Sequence, residues 1–511
     1  MKNRILLSSA GCMALAGALA ASPAYASGGS AAVTSSEAET DEVSFRLEAE
    51  SESDESGSAG ATSGMSPLNN FSGIDTNQFS VTFEGSLTDF RAPRTEDSLI
   101  GSISDPEQRI IVRDDIGVDF GDPDNIAPYA VQLFLQRNSD GGVFFNCSGS
   151  VINPRTILTA AHCLNSNPSE SYGLPGTGAE FTSLIATGQS SADRLFTYLP
   201  TGAGYDEGGV ASSTDVIIHP TANLENTGLP FPWADVALIA VDSPILDVPA
   251  LPILLTPLTE LTHVLQVGYG TNGTGLTGGT DEGSPFLRRI GENMLGLIGS
   301  PGDYIDGVFP DFAPSTSVLG FESQAFYWTD FDNPDRTPEQ QAGCDFTGSN
   351  ISCDSLEAVF AIDYFDGDAL PLEVGTAPGD SGSPLVADQI ADFPLAIGVL
   401  SGGFDFFGLG SAYSDVSFYN PLYPFFEFIT ENTPYKYVSA NAGDGNWSDP
   451  THWTQDLDPG FFIQDANGDI VNGVPTGNEP GIFESGPKLG TVLGNDISGN
   501  TTADHSRVRR H

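Results

Sequence analysis

Leu158-Thr159-Ala160-Ala161-His162-Cys163 and Gly379-Asp380-Ser381-Gly382-Ser383-Pro384 are the two stretches on which the reading of this chain turns. Between them lies Trp233-Ala234-Asp235-Val236-Ala237-Leu238. Histidine, aspartate and serine thus follow one another in one of three unrelated chain orders known for nucleophilic triads. A serine hydroxyl attacks poorly until a base takes its proton. Imidazole titrates near neutrality and suits that task. A buried carboxylate must fix its tautomer and offset the charge that develops on it. His162, Asp235 and Ser381 are the candidates for these roles. Small residues before His162 let the chain turn tightly, and Asp235 sits inside an apolar strand pattern next to Trp233.

The chain has 511 residues and a formal charge of −50, with 18 Lys and Arg against 68 Asp and Glu. Such a surface repels nucleic acid and anionic lipid, so neither is expected as a partner. Lys2 and Arg4 precede an apolar run from Ile5 to Ala21, and Ala24-Tyr25-Ala26 offers small residues at a cleavage site. Residues 1–26 therefore read as an export signal, and the protein is expected outside the cell or on its surface. No later run reaches the ~18–20 apolar residues of a spanning helix, so no integral membrane span is expected. Cys147, Cys163, Cys344 and Cys353 remain after the signal. Four cysteines in an exported chain allow three pairings. The local one, Cys147 with Cys163 and Cys344 with Cys353, is the expectation.

Residues 27–108 are rich in Ser, Gly, Glu, Asp and Thr with little apolar periodicity, and read as a disordered acidic leader or pro-segment. From Arg109 to about 434 the texture changes. Short β-branched and aromatic runs alternate with Gly, Pro, Asn and Asp turns, among them Tyr129–Leu135, Gly142–Phe145, Ser150–Ile152, Thr156–Thr159, Val236–Val241, Val264–Val267, Ala358–Ile362 and Leu395–Leu400. Helical periodicity is confined to Leu422–Thr430. An all-β domain closed by one helix is expected. Residues 435–511 form a Gly- and Asn-rich extension.

Several motifs in order resemble the trypsin/chymotrypsin family of serine proteases, in its bacterial secreted form. They are Asn146–Ile152, the Leu158–Cys163 stretch, Ile217-Ile218-His219-Pro220, Asp235–Leu238, Gly268-Tyr269-Gly270, Gly379–Pro384, Ser401-Gly402-Gly403 and Tyr413–Phe428. The resemblance implies two six-stranded antiparallel β-barrels with the triad in the cleft between them, peptide or protein substrates, and a monomer. It implies that Ser401 donates its hydroxyl to Asp235, and that backbone amides beside His162 do likewise. The N–H groups of Gly379 and Ser381 would form the oxyanion hole. The family's activation device would pair Asp380 with an amine freed at Ile110, within Arg109-Ile110-Ile111-Val112, making the leader that of a zymogen. The two glycines usual after the aliphatic pair are replaced by Val112 and Arg113. The same stretch, with Pro128–Val131, also resembles the bacterial glutamyl-endopeptidase branch.

The family's primary pocket would be lined by Gly375, Ser401, Gly403 and Ser411. Gly375 carries no charge, which disfavours Arg or Lys selectivity and suits an apolar side chain, although Asp405 could restore basic selectivity. Three acidic stretches offer the hard oxygens that Ca²⁺ takes: Asp330–Asp335, Asp363 with Asp366 and Asp368, and Asp465–Asp469. None has a full ligand set at a recognised spacing, so solvated Asx turns are the expected reading, with no cofactor and no metal site. Gly445–Trp453 resembles the opening of an autotransporter passenger repeat. A second reading therefore makes the chain a protease-like binding or adhesion module. The intact triad favours a secreted serine endopeptidase instead.

Overall fold

In a computed structural model the described residues run from 110 to 494, without 118–120, 139–142, 166–179, 192–208, 223–232, 259, 281–285, 302, 305–324, 348–349, 366, 405–409, 447–448, 477–478 and 482–491. The export signal, the acidic leader, Asp366, Asp405 and Trp447 lie outside them. The chain is mostly strand. After β1 (Ile111–Val112), six strands make a closed barrel: β2 (Ala130–Arg137), β3 (Val143–Asn153), β4 (Thr156–Thr159), β5 (Phe181–Thr187), β6 (Val210–Ile218) and β7 (Ala237–Val241), in the order β2-β3-β4-β7-β6-β5. Residues 143–145 and the run expected at 150–152 are parts of one long strand, β3, while Gly142 lies outside the described residues. The apolar run Ala-Leu-Ile-Ala-Val of β7 is buried throughout. The mixed sequence of β6 turns polar residues such as Thr214 outward and keeps Val216 and Ile218 inside.

The second half follows β8 (Ile253–Leu254) and is built on β9 (His263–Gly268). A small sheet beside it holds β10 (Asn272–Thr274) and β11 (Gly278–Thr280). Next come β12 (Arg289–Met294), β13 (Leu297–Gly299), β14 (Phe326–Asp330), the hairpin β15 (Cys344–Thr347) with β16 (Asn350–Cys353), β17 (Val374–Gly375), β18 (Pro384–Ala387), β19 (Leu395–Phe404) and β20 (Val416–Pro421). The main path runs β12-β9-β18-β19-β20-β14-β13. Among the described residues, the second six-stranded barrel of the sequence reading is thus not closed by a ladder. Its two ends are consecutive pieces of chain, β12 and β13, separated by Leu295 and Gly296. The Gly296 N–H donates to Trp328 O at 2.8 Å. A Cβ at 296 would lie 2.3 Å from the Phe365 ring, so only glycine admits that bend. The long stretch between Asp235 and Ser381 includes β13, β14 and the β15–β16 hairpin. The run Ala358–Ile362, expected as a strand, begins inside a helical turn, Leu356–Val359. Ser355 caps that turn, its hydroxyl accepting from Ala358 N at 3.2 Å. Near the C-terminus the helix is Phe426–Asn432, preceded by a 3₁₀ turn at Tyr423–Phe425 that holds Pro424.

One apolar core joins both halves: Val131, Leu158 and Leu238 of the barrel share it with Leu265, Ile290, Val386 and Val399. The extension adds to the same core. After β21 (Lys436–Ala440) and β22 (Trp453–Gln455), the strand β23 (Phe461–Gln464) pairs in parallel with β8, which itself pairs with β19. Phe461 and Ile463 are buried in the joint core. Disulfides link Cys147 to Cys163 and Cys344 to Cys353, the local pairing. No helix among the described residues is long and apolar enough to cross a membrane.

Three neighbouring strands are cross-tied by one imidazole. His263 Nδ1 lies 2.7 Å from Asp388 Oδ1, just past β18, and its Nε2 lies 3.1 Å from Glu292 Oε2 on β12. Burial opposes the charged ring, but hydrogen bonds to the two carboxylates raise its pKa to about 9. A pKa raised by folding stabilises below the unfolded value and loses that stabilisation as pH rises through the folded one. The gap in unfolding free energy between wild type and His263→Gln should therefore shrink by about 2–3 kcal/mol from about pH 6 to about pH 10. Urea melts at both pH values measure this, and an unchanged gap refutes the charge assignment. Separately, Ile463→Ala should destabilise by about 2–4 kcal/mol, as in other cores. If deleting residues 435–511 left the melting temperature unchanged, the extension would be a separate module.

Candidate active site

Antiparallel pairing of β4 with β7 sets Thr159 opposite Ala237. The residues just after Thr159 and just before Ala237 therefore meet at one end of the barrel. His162 sits on the 3₁₀ turn Ala161–Cys163 that follows β4, and the bond from Cys163 to Cys147 ties that turn to β3. His162 Nδ1 lies 2.6 Å from Asp235 Oδ2. The His162 backbone N–H donates to Asp235 Oδ1 at 2.8 Å. Ser401 Oγ, from β19 of the other half, donates a short hydrogen bond to Asp235 Oδ2. Asp235 is fully buried, while the His162 side chain keeps 25 % exposure. Burial opposes protonation of His162, but the adjacent Asp235 carboxylate outweighs it and the pKa lies above the ordinary 6.5. Ala234 holds φ 58°, a left-handed conformation costly for alanine. Its N–H donates to Asn420 Oδ1 at 3.1 Å across the two halves.

Ser381 is half-buried on a loop pressed against the histidine turn. Ser381 O accepts from Ser148 N at 2.8 Å and lies 3.6 Å from Cys163 Sγ. Ser148 binds the loop twice, because its hydroxyl also donates to Gly379 O at 3.0 Å. Gly382 holds φ +83°, and a Cβ there would lie 2.1 Å from Thr159 Oγ1 and 2.5 Å from Ser148 O. Both the backbone angle and the approach of the two halves therefore require glycine. Gly379 holds φ +100°, with a Cβ position 2.8 Å from Gly270 Cα. Among the described residues the Gly379 and Ser381 N–H groups donate to no protein acceptor, and Ser381 Oγ makes no hydrogen bond to His162 Nε2. Catalytic hydrogen bonds often tighten only when substrate binds.

Asp380 turns away from the cleft and is buried. It accepts from Gly270 N at 2.7 Å and Ala377 N at 2.9 Å. Burial lifts its pKa to about 6 against the pull of those amides and of Arg289. The Ile110 side chain packs in an apolar cluster with Val112 and Val374. β1 is already seated, with Ile111 opposite Gly375 on one side and Gly273 on the other.

The pocket residues divide. Gly375 backs onto Phe331, whose ring lies 2.9 Å from where a Cβ would be. Gly403 pairs with Ser417, and Ser417 Oγ lies 2.7 Å from Thr376 Oγ1. Ser411 occupies a turn at φ 59° outside the strand, and the β20 residue paired with Gly403 is Ser417. The acidic stretches also divide. Carboxylate oxygens of Asp330, Asp332 and Asp363 lie within 4.8 Å of one another. The Arg336 guanidinium pairs with Asp332, and with Asp363 at 2.7 Å. Asp465 Oδ1 accepts from Asn467 N at 2.8 Å and Asp469 N at 2.9 Å, an Asx turn.

Residues that the sequence reading did not assign are Ser148, Thr159, Asn420, Thr376, Ser417 and Arg289. Most of them act through a partner far away in the chain. No curated protein matches the chain. Residues 118–282, which contain His162 and Asp235 and end before Ser381, match the family model of trypsin, and this supports a serine peptidase of the trypsin/chymotrypsin family.

Proposed function

We propose that the protein is an exported serine endopeptidase that works through His162, Asp235 and Ser381. The observation that carries this reading is the buried Asp235 carboxylate gripping the His162 ring and backbone beside the Ser381 loop. With Nδ1 facing Asp235, the ring's Nε2 is the atom free to take the Ser381 hydroxyl proton. The alkoxide attacks the substrate carbonyl, and the N–H groups of Gly379 and Ser381 hold the oxygen that turns negative. His162 then gives its proton to the leaving amine, and water hydrolyses the acyl-enzyme by the same route. Asp235 holds the ring's orientation and steadies the imidazolium. Two disulfides and the leader's signal pattern support export.

Among the described residues, none of those that would floor the primary pocket, Gly375, Thr376, Gly403 and Ser417, carries a charge. The Thr376 and Ser417 hydroxyls share one hydrogen bond at 2.7 Å, and a floor without a charged group favours a neutral, mainly apolar side chain.

A fluorophosphonate probe should label the wild-type chain and leave Ser381→Ala unlabelled. His162→Ala should slow peptide hydrolysis by about 10³-fold or more with the fold intact by circular dichroism. A labelled Ser381→Ala chain, or near-normal turnover by His162→Ala, would reject the assignment. For specificity, Ser417→Asp places a carboxylate in the pocket. It should raise kcat/KM for Arg or Lys substrates relative to apolar ones by about tenfold or more, since a desolvated ion pair is worth over 1.4 kcal/mol. Unchanged preference would remove Ser417 from the pocket.

A further inference from the structure

The carboxylate of Asp380 is 2 % exposed, and such a charge needs compensation inside the protein. Two amides supply part of it. A buried cation also bears on it: Arg289, on β12, is 0 % exposed, and its charge favours the ionised carboxylate without outweighing burial. Strand pairing places Arg289 opposite Gly268, and a Cβ at 268 would lie 2.1 Å from Asp380 Oδ1. Gly270 stands between the two charged groups. Its N–H donates to Asp380 Oδ1 at 2.7 Å, while its carbonyl accepts a short hydrogen bond from Arg289 Nη1. Neither Gly268 nor Gly270 admits a side chain, because the Asp380 carboxylate fills the space, with both oxygens 2.7 Å from the Cβ position of Gly270.

The N-terminal side looks different. The Ile110 side chain lies among apolar residues, and β1 is hydrogen-bonded on both edges in the uncut chain. Cleavage is not needed to seat this segment.

We propose that Arg289 is the resident counter-charge of Asp380, and that through Gly270 it holds the 379–383 loop in its working shape without an amine freed at Ile110. Arg289 is then a positioning residue. It touches no substrate, and it acts by fixing the direction of the Gly379 and Ser381 N–H groups. The inference rests on the serine-peptidase reading of Ser381. It departs from the zymogen expectation, in which a new α-amine supplies the positive charge.

The test uses the chain with an engineered enteropeptidase site replacing residues 105–109. One version is cut to begin at Ile110, and a second to begin with Ser-Gly ahead of Ile110. Fluorophosphonate labelling of Ser381 and peptide hydrolysis are measured on both. Equal rates are expected. A rate at least tenfold higher only in the chain that begins at Ile110 would overturn the proposal, because the amine would then be required. In the second version, Arg289→Met should lower kcat by about 100-fold, the scale of a lost oxyanion donor, with KM changed by less than about threefold. Arg289→Lys should restore most of kcat. Full activity in Arg289→Met, or a loss that Lys does not relieve, would also overturn it. Should Arg289→Met not fold, the comparison of the two N-termini still decides, since it leaves the domain's own sequence untouched. Failure of the peptidase reading looks different: neither version of the otherwise wild-type chain would be labelled at Ser381.

Discussion

A buried carboxylate, Asp235, organises the molecule. Burying a charge is unfavourable unless hydrogen-bond donors replace the lost water. Asp235 receives the His162 backbone N–H, faces the imidazole Nδ1 and accepts the Ser401 hydroxyl. The first two partners come from the end of one barrel and the third from the opposite half. The carboxylate can be satisfied only when both halves are docked. Folding and assembly of the site are therefore one event. The strained φ of Ala234 is part of this arrangement, since its N–H reaches across to Asn420. The strain aims Asp235 and is offset by a cross-half hydrogen bond.

A second junction fixes the nucleophile loop at the distance the chemistry needs. Ser148 is a hub. Its N–H donates to Ser381 O, its hydroxyl donates to Gly379 O and accepts from Tyr269 N, and its carbonyl accepts from Thr159 Oγ1. β3, the end of β4, the serine loop and the Gly268–Gly270 stretch all meet at this residue. Gly382 lets the loop approach that hub, and Gly379 lets it approach Gly270. The same turn on its far side carries the Asp380 and Arg289 contacts. The loop is thus held from beneath by charge and from the side by uncharged hydrogen bonds.

What the sequence disclosed follows the range of the interactions. The meeting of His162 with Asp235 could be read from two short stretches, because each carries its own strand and turn signals. The cysteine pairing could be read from proximity along the chain. The extra strands between Asp235 and Ser381, the bent junction at Gly296 and the docking of β23 depend on contacts between distant segments, and no local pattern encodes them. Ser417 was missed for a specific reason. β20 does not begin until Val416, so Ser411 falls in the connection that precedes it, and the ladder sets Ser417 opposite Gly403. The helical turn at 356–359 was missed because an apolar run outweighed the cap at Ser355.

The charge balance acquires a different meaning once the arginines are located. The chain has 18 basic residues against 68 acidic ones. Arg288 and Arg289 are fully buried, the former ion-paired with Asp122 at 2.8 Å, and Arg336 lies within the cluster of Asp330, Asp332 and Asp363. These scarce cations do not dilute the negative surface. They occupy interior positions where a carboxylate needs a partner. Arginine suits such positions better than lysine, since its planar fork makes several hydrogen bonds and sheds water more readily. Arg336 does not neutralise its cluster alone. Burial and the neighbouring Asp363 carboxylate lift the Asp330 pKa to about 7, so part of the balance there comes from a proton. The formal charge of −50 far exceeds what these buried groups remove, so the surface stays strongly acidic. Its self-repulsion weakens as salt shortens the screening length. The interior arginine contacts, shielded from solvent, are much less sensitive to that change, so salt relaxes the outside of this protein while leaving the charges that shape its candidate site in place.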